Sequence, residues 1–254
     1  MSIDSRVYST TRIQFLFEHD YEKLLRREIE RMHLSTSARA LNIACEHDLV
    51  PSFLSTSVAP QNVRGIDIDP NIVRSDRRIS ACDVDRDRFP FDDASFDLVF
   101  SVWGIEHIHT MHVFRETHRV LKPGGRFIFV TPNLAHPIFL ASRLGGEKFA
   151  SWYYRRVLHS SYKPHITFYR FNTRGALRRV ARDSGLRLET LSYFGPASVV
   201  GYFSFSRFLQ RLVSWHERWF LTNPFLGRMK PYFLVVFQSF EQSRVPLDTP
   251  SILP

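Results

Sequence analysis

The feature that most constrains the fold is the alternation of short apolar runs with helical stretches between residues 40 and 131. The apolar runs predict strands over 40–44, 63–68, 79–82, 96–102 and 126–131. Helices are predicted over about 49–54 and over 113–121, and Lys122-Pro123-Gly124-Gly125 stops the second one. Strands that alternate with helices indicate an α/β fold with a mostly parallel sheet and helices on both faces.

The regions outside this core continue the pattern less regularly. Leu24, Leu25, Ile29 and Met32 predict an amphipathic helix over 17–33. A helix over 173–184 and strands over 186–193 and 232–239 bring the predicted strands to seven. We therefore expect an N-terminal helical segment (1–37), one domain (38–240) with insertions at 134–168 and 195–230, and a tail (241–254).

Composition and charge narrow the class of protein. No apolar run approaches the roughly 20 residues that span a bilayer, and the N-terminus lacks a signal pattern, so we expect a cytoplasmic protein. The two cysteines indicate neither a disulfide framework nor a metal cluster. The net charge of +9 favours either an acidic partner or arginines scattered over solvated faces. No nucleic-acid-binding signature accompanies the arginines, so no nucleic-acid partner is expected.

Polar residues follow the predicted strands at their carboxyl ends, where ligands bind in a parallel sheet. They are Asn42 and Glu46 after the first strand, Asp67 and Asp69 at the second, Asp83 after the third, and Ser101, Trp103, Glu106 and His107 at the fourth. A carboxylate such as Asp67 can accept both hydroxyl groups of a ribose. Asp83 and the apolar Val84 suit the amine and the ring of an adenine.

Several runs resemble motifs of the class I S-adenosylmethionine-dependent methyltransferases of the type 11 kind. They are VRGIDIDP at 63–70, DV at 83–84, FPFDDASFDLV at 89–99, EHI at 106–108 and RVLKPGGR at 119–126. The resemblance implies a Rossmann-like sheet whose last strand is antiparallel, and methyl transfer from S-adenosylmethionine to a small-molecule or lipid-like acceptor. It also implies that Asn42, Ala44, Glu46, Asp67, Ile68, Asp83, Val84, Ser101 and Trp103 bind the cofactor.

The chain departs from the family at the first motif. Family members carry a glycine-rich loop after the first strand, whereas residues 41–48 read LNIACEHD and contain no glycine. One explanation is a blocked remnant in a catalytically silent, methyltransferase-like binding partner. The other is a subfamily variant in which Glu46 pairs with the ammonium group of the cofactor. The presence of both Asp67 and Asp83 favours the variant.

Few side chains are needed for methyl transfer from a sulfonium, because the leaving group is already good. His107 is the first candidate for a base, since it lies just past the fourth strand, although it could instead cap the following turn. His165 and Tyr169 are weaker candidates, and His136 is weaker still. No spacing among the histidines indicates a zinc site.

An aromatic segment near the C-terminus (198–221) has two unlike faces if it is helical. Phe205, Phe208, Leu209, Leu212, Trp215 and Trp219 share one face, and Arg207, Arg211, Ser214 and Arg218 share the opposite one. This pattern fits peripheral contact with a membrane, a lid over an apolar substrate, or a helix packed on the core with a solvated basic face.

Overall fold

The structure is a computed structural model, and it describes residues 11–16, 20–46, 48–54, 56–156, 166–195, 206–208, 211 and 224–240. The strands are β1 Arg12–Phe15, β2 Ala40–Ile43, β3 Val63–Asp67, β4 Ile79–Ala81, β5 Phe96–Val102, β6 Leu121–Pro132, β7 Leu186–Phe194 and β8 Tyr232–Ser239. The helices are α1 Tyr21–Glu30, α2 Pro70–Ser75, α3 His112–Val120, α4 Pro137–Arg156, α5 Arg174–Asp183 and α6 Pro224–Gly227.

All described strands belong to one eight-stranded sheet with the order β1-β7-β8-β6-β5-β2-β3-β4. Only β8 runs antiparallel, and it lies between β6 and β7. The α/β class and the antiparallel last strand are therefore confirmed. None of the described helices is both long and apolar enough to cross a membrane.

Two local predictions were wrong. The eighth strand, β1, lies in the segment expected to be helical and pairs parallel with β7, where Arg12 faces Thr190. The helix expected over 49–54 is a set of turns, because the Asn42 Nδ2 donates to the Asp48 carbonyl at 3.0 Å and so occupies an acceptor that a helix would use. The predicted insertion over 134–168, for which no secondary structure was predicted, contains α4, which is interrupted at Gly146 by non-helical torsion angles.

Side chains that alternate along β5 and β6 build a core on each face of the sheet. Phe127 and Phe129 face one side, where Phe114 of α3 packs among them with Phe171 and Phe237. Ile128 and Val130 face the other side, which α1 covers with Leu24, Leu25 and Ile29. The sheet is thus buried on both faces, and its polar carboxyl edge is left for a ligand.

We expect Phe114→Ala to destabilise the fold by about 3–5 kcal/mol, because it removes a fully buried ring shared by helix and sheet. Urea denaturation measures the change. Leu144→Ala, at a side chain that is 79% exposed, should stay within about 0.5 kcal/mol of wild type. Equal losses in both variants would show that the aromatic cluster does not carry this share of stability.

Candidate cofactor site and active site

The loop after β2 keeps a glycine-type backbone although it has no glycine. Ala44 has a φ of 53° and Glu46 a φ of 44°, both in the left-handed region. That region costs a residue with a Cβ about 1–2 kcal/mol. The Ala44 N–H donates to the Ile66 carbonyl at 3.0 Å, and the Glu46 N–H donates to the Asp67 Oδ2 at 3.0 Å. Bonds to β3 therefore hold the loop in its strained path.

Asp67 ends β3 and connects that strand to the loop. Its carboxylate is 8% exposed and accepts the Glu46 N–H at one oxygen and the Asp69 N–H, at 2.9 Å, at the other. A carboxylate has about four acceptor positions, so two remain for further donors. Asp69 caps α2 by accepting from the Asn71 N–H at 2.7 Å. Asp67 therefore holds the loop after β2, whereas Asp69 caps α2.

A cavity of about 220 Å³ opens beside this loop. Its walls are Tyr21, Glu22, Asn42, Ala44, Cys45, Glu46, Asp48, Pro51, Phe53, Val102 and Trp103. The lining includes the acids Glu22, Glu46 and Asp48 and no basic residue. Burial and the charge of Glu22 raise the pKa of Asp48. The cavity is therefore negatively charged and suits a cationic group.

Trp103 forms an aromatic wall of the cavity. Its ring centroid lies 5.5 Å from that of Tyr21 and 5.0 Å from that of Tyr232, both in edge-to-face geometry. The Trp103 backbone has a φ of 58°, and its N–H donates to the Val130 carbonyl at 3.1 Å. Packing against α1 and β8 therefore fixes the side chain at the mouth of the parallel sheet.

The other predicted cofactor residues lie along the same edge with different exposures. Ile68 is 69% exposed, and Val84 packs partly against the core. The Asp83 carboxylate accepts from the Asp85 N–H at 3.1 Å and pairs with Arg86 at 2.7 Å. Ser101 is fully buried beneath Gly104, where a Cβ would lie 2.6 Å from the Ser101 Oγ. Ser101 is not among the residues lining the cavity.

Glu106 is a candidate acid or base that the sequence motifs do not mark. Glu106 is 5% exposed, and its Oε2 accepts from the Thr131 Oγ1 at 3.0 Å, which in turn accepts from the Asn172 Nδ2 at 2.8 Å. Burial, with a smaller contribution from the charge of Glu46, raises the pKa of Glu106 to about 7. This pKa suits a group that exchanges protons near neutral pH. The sequence placed Glu106 after β5, but no pattern revealed its burial.

The histidine and tyrosine candidates are only partly brought together. The His107 Nδ1 donates to the Ile166 carbonyl at 2.6 Å. The Tyr169 N–H donates to the Glu106 carbonyl at 3.2 Å. His107 and Tyr169 therefore both lie next to Glu106. Tyr169 is buried against Leu134 and Phe139. His136 accepts at Nδ1 from the Ile138 N–H at 3.3 Å, and His165 lies outside the described residues. Nowhere in the described ranges do three His, Cys, Asp or Glu side chains form a group that could hold a metal.

The aromatic segment predicted over 198–221 lies outside the described residues apart from 206–208 and 211. In that part, Phe208 is 74% exposed, and Arg207 and Arg211 are exposed as well. Membrane contact, a lid and a helix packed on the core therefore stay three alternative predictions for this segment.

Comparison with known proteins identifies the fold that carries this site. Residues 41–129, which include the loop, Asp67, Asp83 and Glu106, match the family described as "Methyltransferase domain". The match covers about a third of the chain, and it likens this part of the sheet to a methyltransferase domain. The cofactor of this family is S-adenosylmethionine, as the resemblance of the motifs implied.

Two curated relatives are named as methyltransferases, one for a sterol and one for demethylmenaquinone. A sterol 4-C-methyltransferase of Caenorhabditis elegans is 31% identical over 110 residues, which cover 39% of this chain and 32% of that protein. A demethylmenaquinone methyltransferase of Symbiobacterium thermophilum is 29% identical over 127 residues, which cover 45% of this chain and 51% of that protein. The chain thus spans about a third of the length of the first relative and about half of the length of the second.

A solved structure extends the likeness of the fold over most of the chain. The S-adenosylmethionine-dependent methyltransferase from Mesorhizobium loti superposes with a TM-score of 0.50 at 17% identity, and the match covers 84% of this chain and 96% of that one. At this identity the likeness concerns the fold alone.

The buried Glu106 should make stability fall as pH rises. Its pKa is 4.5 in an ordinary setting and about 7 in the fold, so its neutral form stabilises the protein below pH 4.5 and this contribution is lost as the pH rises through 7. The difference corresponds to about 3 kcal/mol at most. Urea denaturation between pH 5 and 8 should show this decline in wild type and not in Glu106→Gln, which stays neutral.

Glu30→Gln, at an exposed position on α1, is the control and should decline with pH as wild type does. The interpretation is wrong if the Glu106→Gln curve runs parallel to the wild-type curve.

The strained loop gives a second test. Ala44→Gly should keep or raise stability, because glycine adopts a positive φ without steric cost. Ala44→Val should lose about 2 kcal/mol or more, because a β-branched residue at positive φ is a steric outlier. Urea denaturation measures both, with Ala135→Val at an exposed alanine as the control for added volume. Equal effects of valine at both positions would contradict the left-handed conformation.

Proposed function

We propose that this protein transfers a methyl group from S-adenosylmethionine to a small-molecule or lipid-like acceptor. The observation that carries the proposal is the loop after β2, where Ala44 and Glu46 hold positive φ angles and a bond to Asp67 fixes them. The loop keeps the backbone shape for which the family uses glycine, so the absence of glycine does not by itself remove the cofactor site.

The residues along the carboxyl edge match the parts of the cofactor in order. The negatively charged cavity with Glu46 suits the ammonium group, and the rings of Trp103 and Tyr21 suit the sulfonium by a cation–π interaction. The remaining acceptor positions of Asp67 suit the ribose hydroxyls. Ile68, Asp83 and Val84 follow at the neighbouring strand ends and suit the adenine.

The cofactor supplies an electrophilic methyl group on a good leaving group, and the chain contributes alignment and a place for a proton. When the acceptor is an O–H, N–H or acidic C–H, its proton must leave as the new bond to the methyl carbon forms and the carbon–sulfur bond breaks. Glu106 and His107 are our candidates for receiving that proton, because they follow β5 in one turn.

A lipid-like acceptor is supported by the surface beside this turn and by the names of the relatives. Ile166 and Phe168 adjoin His107 and Glu106 through backbone bonds and are 58% and 40% exposed. Leu140 and Leu144 of α4 add two exposed apolar side chains. The two relatives described above are named for a sterol and for demethylmenaquinone. A cytoplasmic location with peripheral membrane contact fits such an acceptor.

Calorimetric titration with S-adenosylmethionine and S-adenosylhomocysteine tests the proposal. Glu46→Gln should weaken binding by about 1–3 kcal/mol, the scale of one charge-assisted hydrogen bond. Asp67→Ala should weaken it by about 2 kcal/mol or more, because the ribose loses its acceptor and the loop loses its bond. Asp92→Asn, at an exposed acid in the loop before β5, is the control and should bind as wild type does.

The opposite result would favour a silent, methyltransferase-like binding partner. In that case wild type shows no binding at millimolar cofactor, and Glu46→Gly restores binding by removing a side chain that blocks the cavity. Binding that is normal in wild type and unchanged in both Glu46→Gln and Asp67→Ala would show that the cofactor uses other residues.

A further inference from the structure

A group of arginines lies away from the cofactor cavity, on the β6–β8–β7 side of the sheet. Arg174 and Arg178 are one turn apart on α5, and Arg228 follows α6. Arg174 is half-buried, and the other two are exposed. Within the described ranges, none of the three guanidinium groups makes an ion pair or a hydrogen bond. We call these three residues the arginine cluster.

Two buried asparagines bring the arginine cluster together. The Asn172 Nδ2 donates to the Pro132 carbonyl at 2.7 Å, which holds the start of α5 against the end of β6. The Asn133 Nδ2 donates to the Arg228 carbonyl at 2.9 Å, which holds the turn after α6 at the same place. Burial raises the pKa of the Tyr193 phenol near the end of β7, and the charges of all three arginines oppose this shift. The convergence therefore follows from the fold, although the residues are far apart in sequence.

The placement of these charges costs stability. Arg174 is the first residue of α5, whose first turn carries no acid, and a cation is unfavourable at that end of a helix. Like charges one turn apart also repel each other. Burial, followed by the charge of Arg178, lowers the pKa of Arg174. A bound anion would offset these costs.

The cluster borders an open cleft through one of its members. Arg178 lines a cleft of about 400 Å³ along α5, together with Gly175, Arg179 and Arg182. Among the described residues, no atom lies within 4 Å of the position that a Cβ on Gly175 would take, so this part of the chain leaves the cleft open there. Arg182 forms an ion pair with Asp183. Arg179 adds a further cation that has no acidic partner among the described residues.

We propose that Arg174, Arg178 and Arg228 form a binding site for a phosphate group. Guanidinium groups bind phosphate oxygens in pairs of parallel hydrogen bonds, and a phosphate monoester carries the multiple charge that several unpaired cations require. A carboxylate would neutralise only one of them. The phosphate belongs either to a soluble molecule or to a lipid headgroup. The site does not depend on the cofactor cavity, because β2 and β3 carry that cavity on the other side of β5 and β6.

The test is calorimetric titration of the full chain with inorganic phosphate at low ionic strength, without methyl donor. Arg174→Gln, Arg178→Gln and Arg228→Gln combined should weaken binding by about tenfold or more, since several charge-assisted bonds are lost. The matched control combines Arg27→Gln, Arg74→Gln and Arg115→Gln, which removes the same charge from exposed positions on α1, α2 and α3. It should bind phosphate as wild type does.

Thermal unfolding provides a second readout. Without phosphate, the cluster variant should unfold no earlier than wild type, because mutual repulsion is relieved. Phosphate should raise the unfolding temperature of wild type and of the control, but not of the cluster variant. The proposal is overturned if wild type does not bind phosphate, if the cluster variant binds it as wild type does, or if both variants lose it equally.

Vesicles distinguish the two sources of phosphate. If wild type and the control float with phosphatidylcholine vesicles that contain phosphatidic acid, but not with phosphatidylcholine alone, and the cluster variant does neither, the ligand is a lipid headgroup. If phosphate binds and neither vesicle does, the ligand is a soluble phosphorylated molecule. Because neither measurement involves the cofactor, failure here is separate from failure of the proposed methyl transfer.

Discussion

The candidate site depends on the two hydrogen bonds that the carboxylate of Asp67 accepts. This carboxylate accepts backbone N–H groups from Glu46 and Asp69, so it joins the loop after β2 to the turn that starts α2. Without this anchor, nothing described here would compensate the positive φ of Glu46, which a residue with a side chain disfavours. A glycine-free loop can follow the path of a glycine-rich one because the neighbouring strand supplies a buried acceptor at the right place.

The same loop links the cofactor cavity to the proton-binding group. Glu46 lines the cavity, and its charge contributes to the raised pKa of the buried Glu106. A cation bound between them would act in the opposite direction, because a positive charge favours the ionised carboxylate. The exposed carboxylate of Glu46 and the buried carboxylate of Glu106 are therefore linked electrostatically.

The parallel core was predictable because burial on both faces leaves a clear signal. The strand over Phe96–Val102 is a continuous apolar run and was predicted at its observed bounds, and β2, β3 and β4 differ from their predictions by a residue at one end. The strand Arg12–Phe15 was missed because an edge strand is short and need not be apolar throughout. The turns over 49–54 were missed because the competing donor, Asn42, belongs to the preceding strand and lies outside the segment that the helix prediction considered.

The residues of the candidate site were predictable only as far as they follow strand ends. Asn42, Ala44, Glu46 and Trp103 were named from their positions and do line the cavity. Tyr21, Glu22 and Asp48 line it too, but they come from α1 and from a turn, and no motif marks them. The burial of Glu106 depends on Thr131 and Asn172, which only the fold brings together. Roles that rest on tertiary contacts carry no periodic signal.

The distribution of charge also depends on tertiary contacts that the sequence pattern does not reveal. The net charge of +9 was compatible with arginines spread evenly over the surface, and along the sequence Arg174, Arg178 and Arg228 are indeed well separated or on one helix. In the fold, however, hydrogen bonds from Asn133 and Asn172 bring them to the end of β6, while the cavity beside β2 is lined by Glu22, Glu46 and Asp48. One edge of the sheet thus presents a negative site and a positive site on either side of β5 and β6. A cationic group is attracted to the first site and repelled by the second, and a phosphate group the reverse, so the two sites favour different ligands.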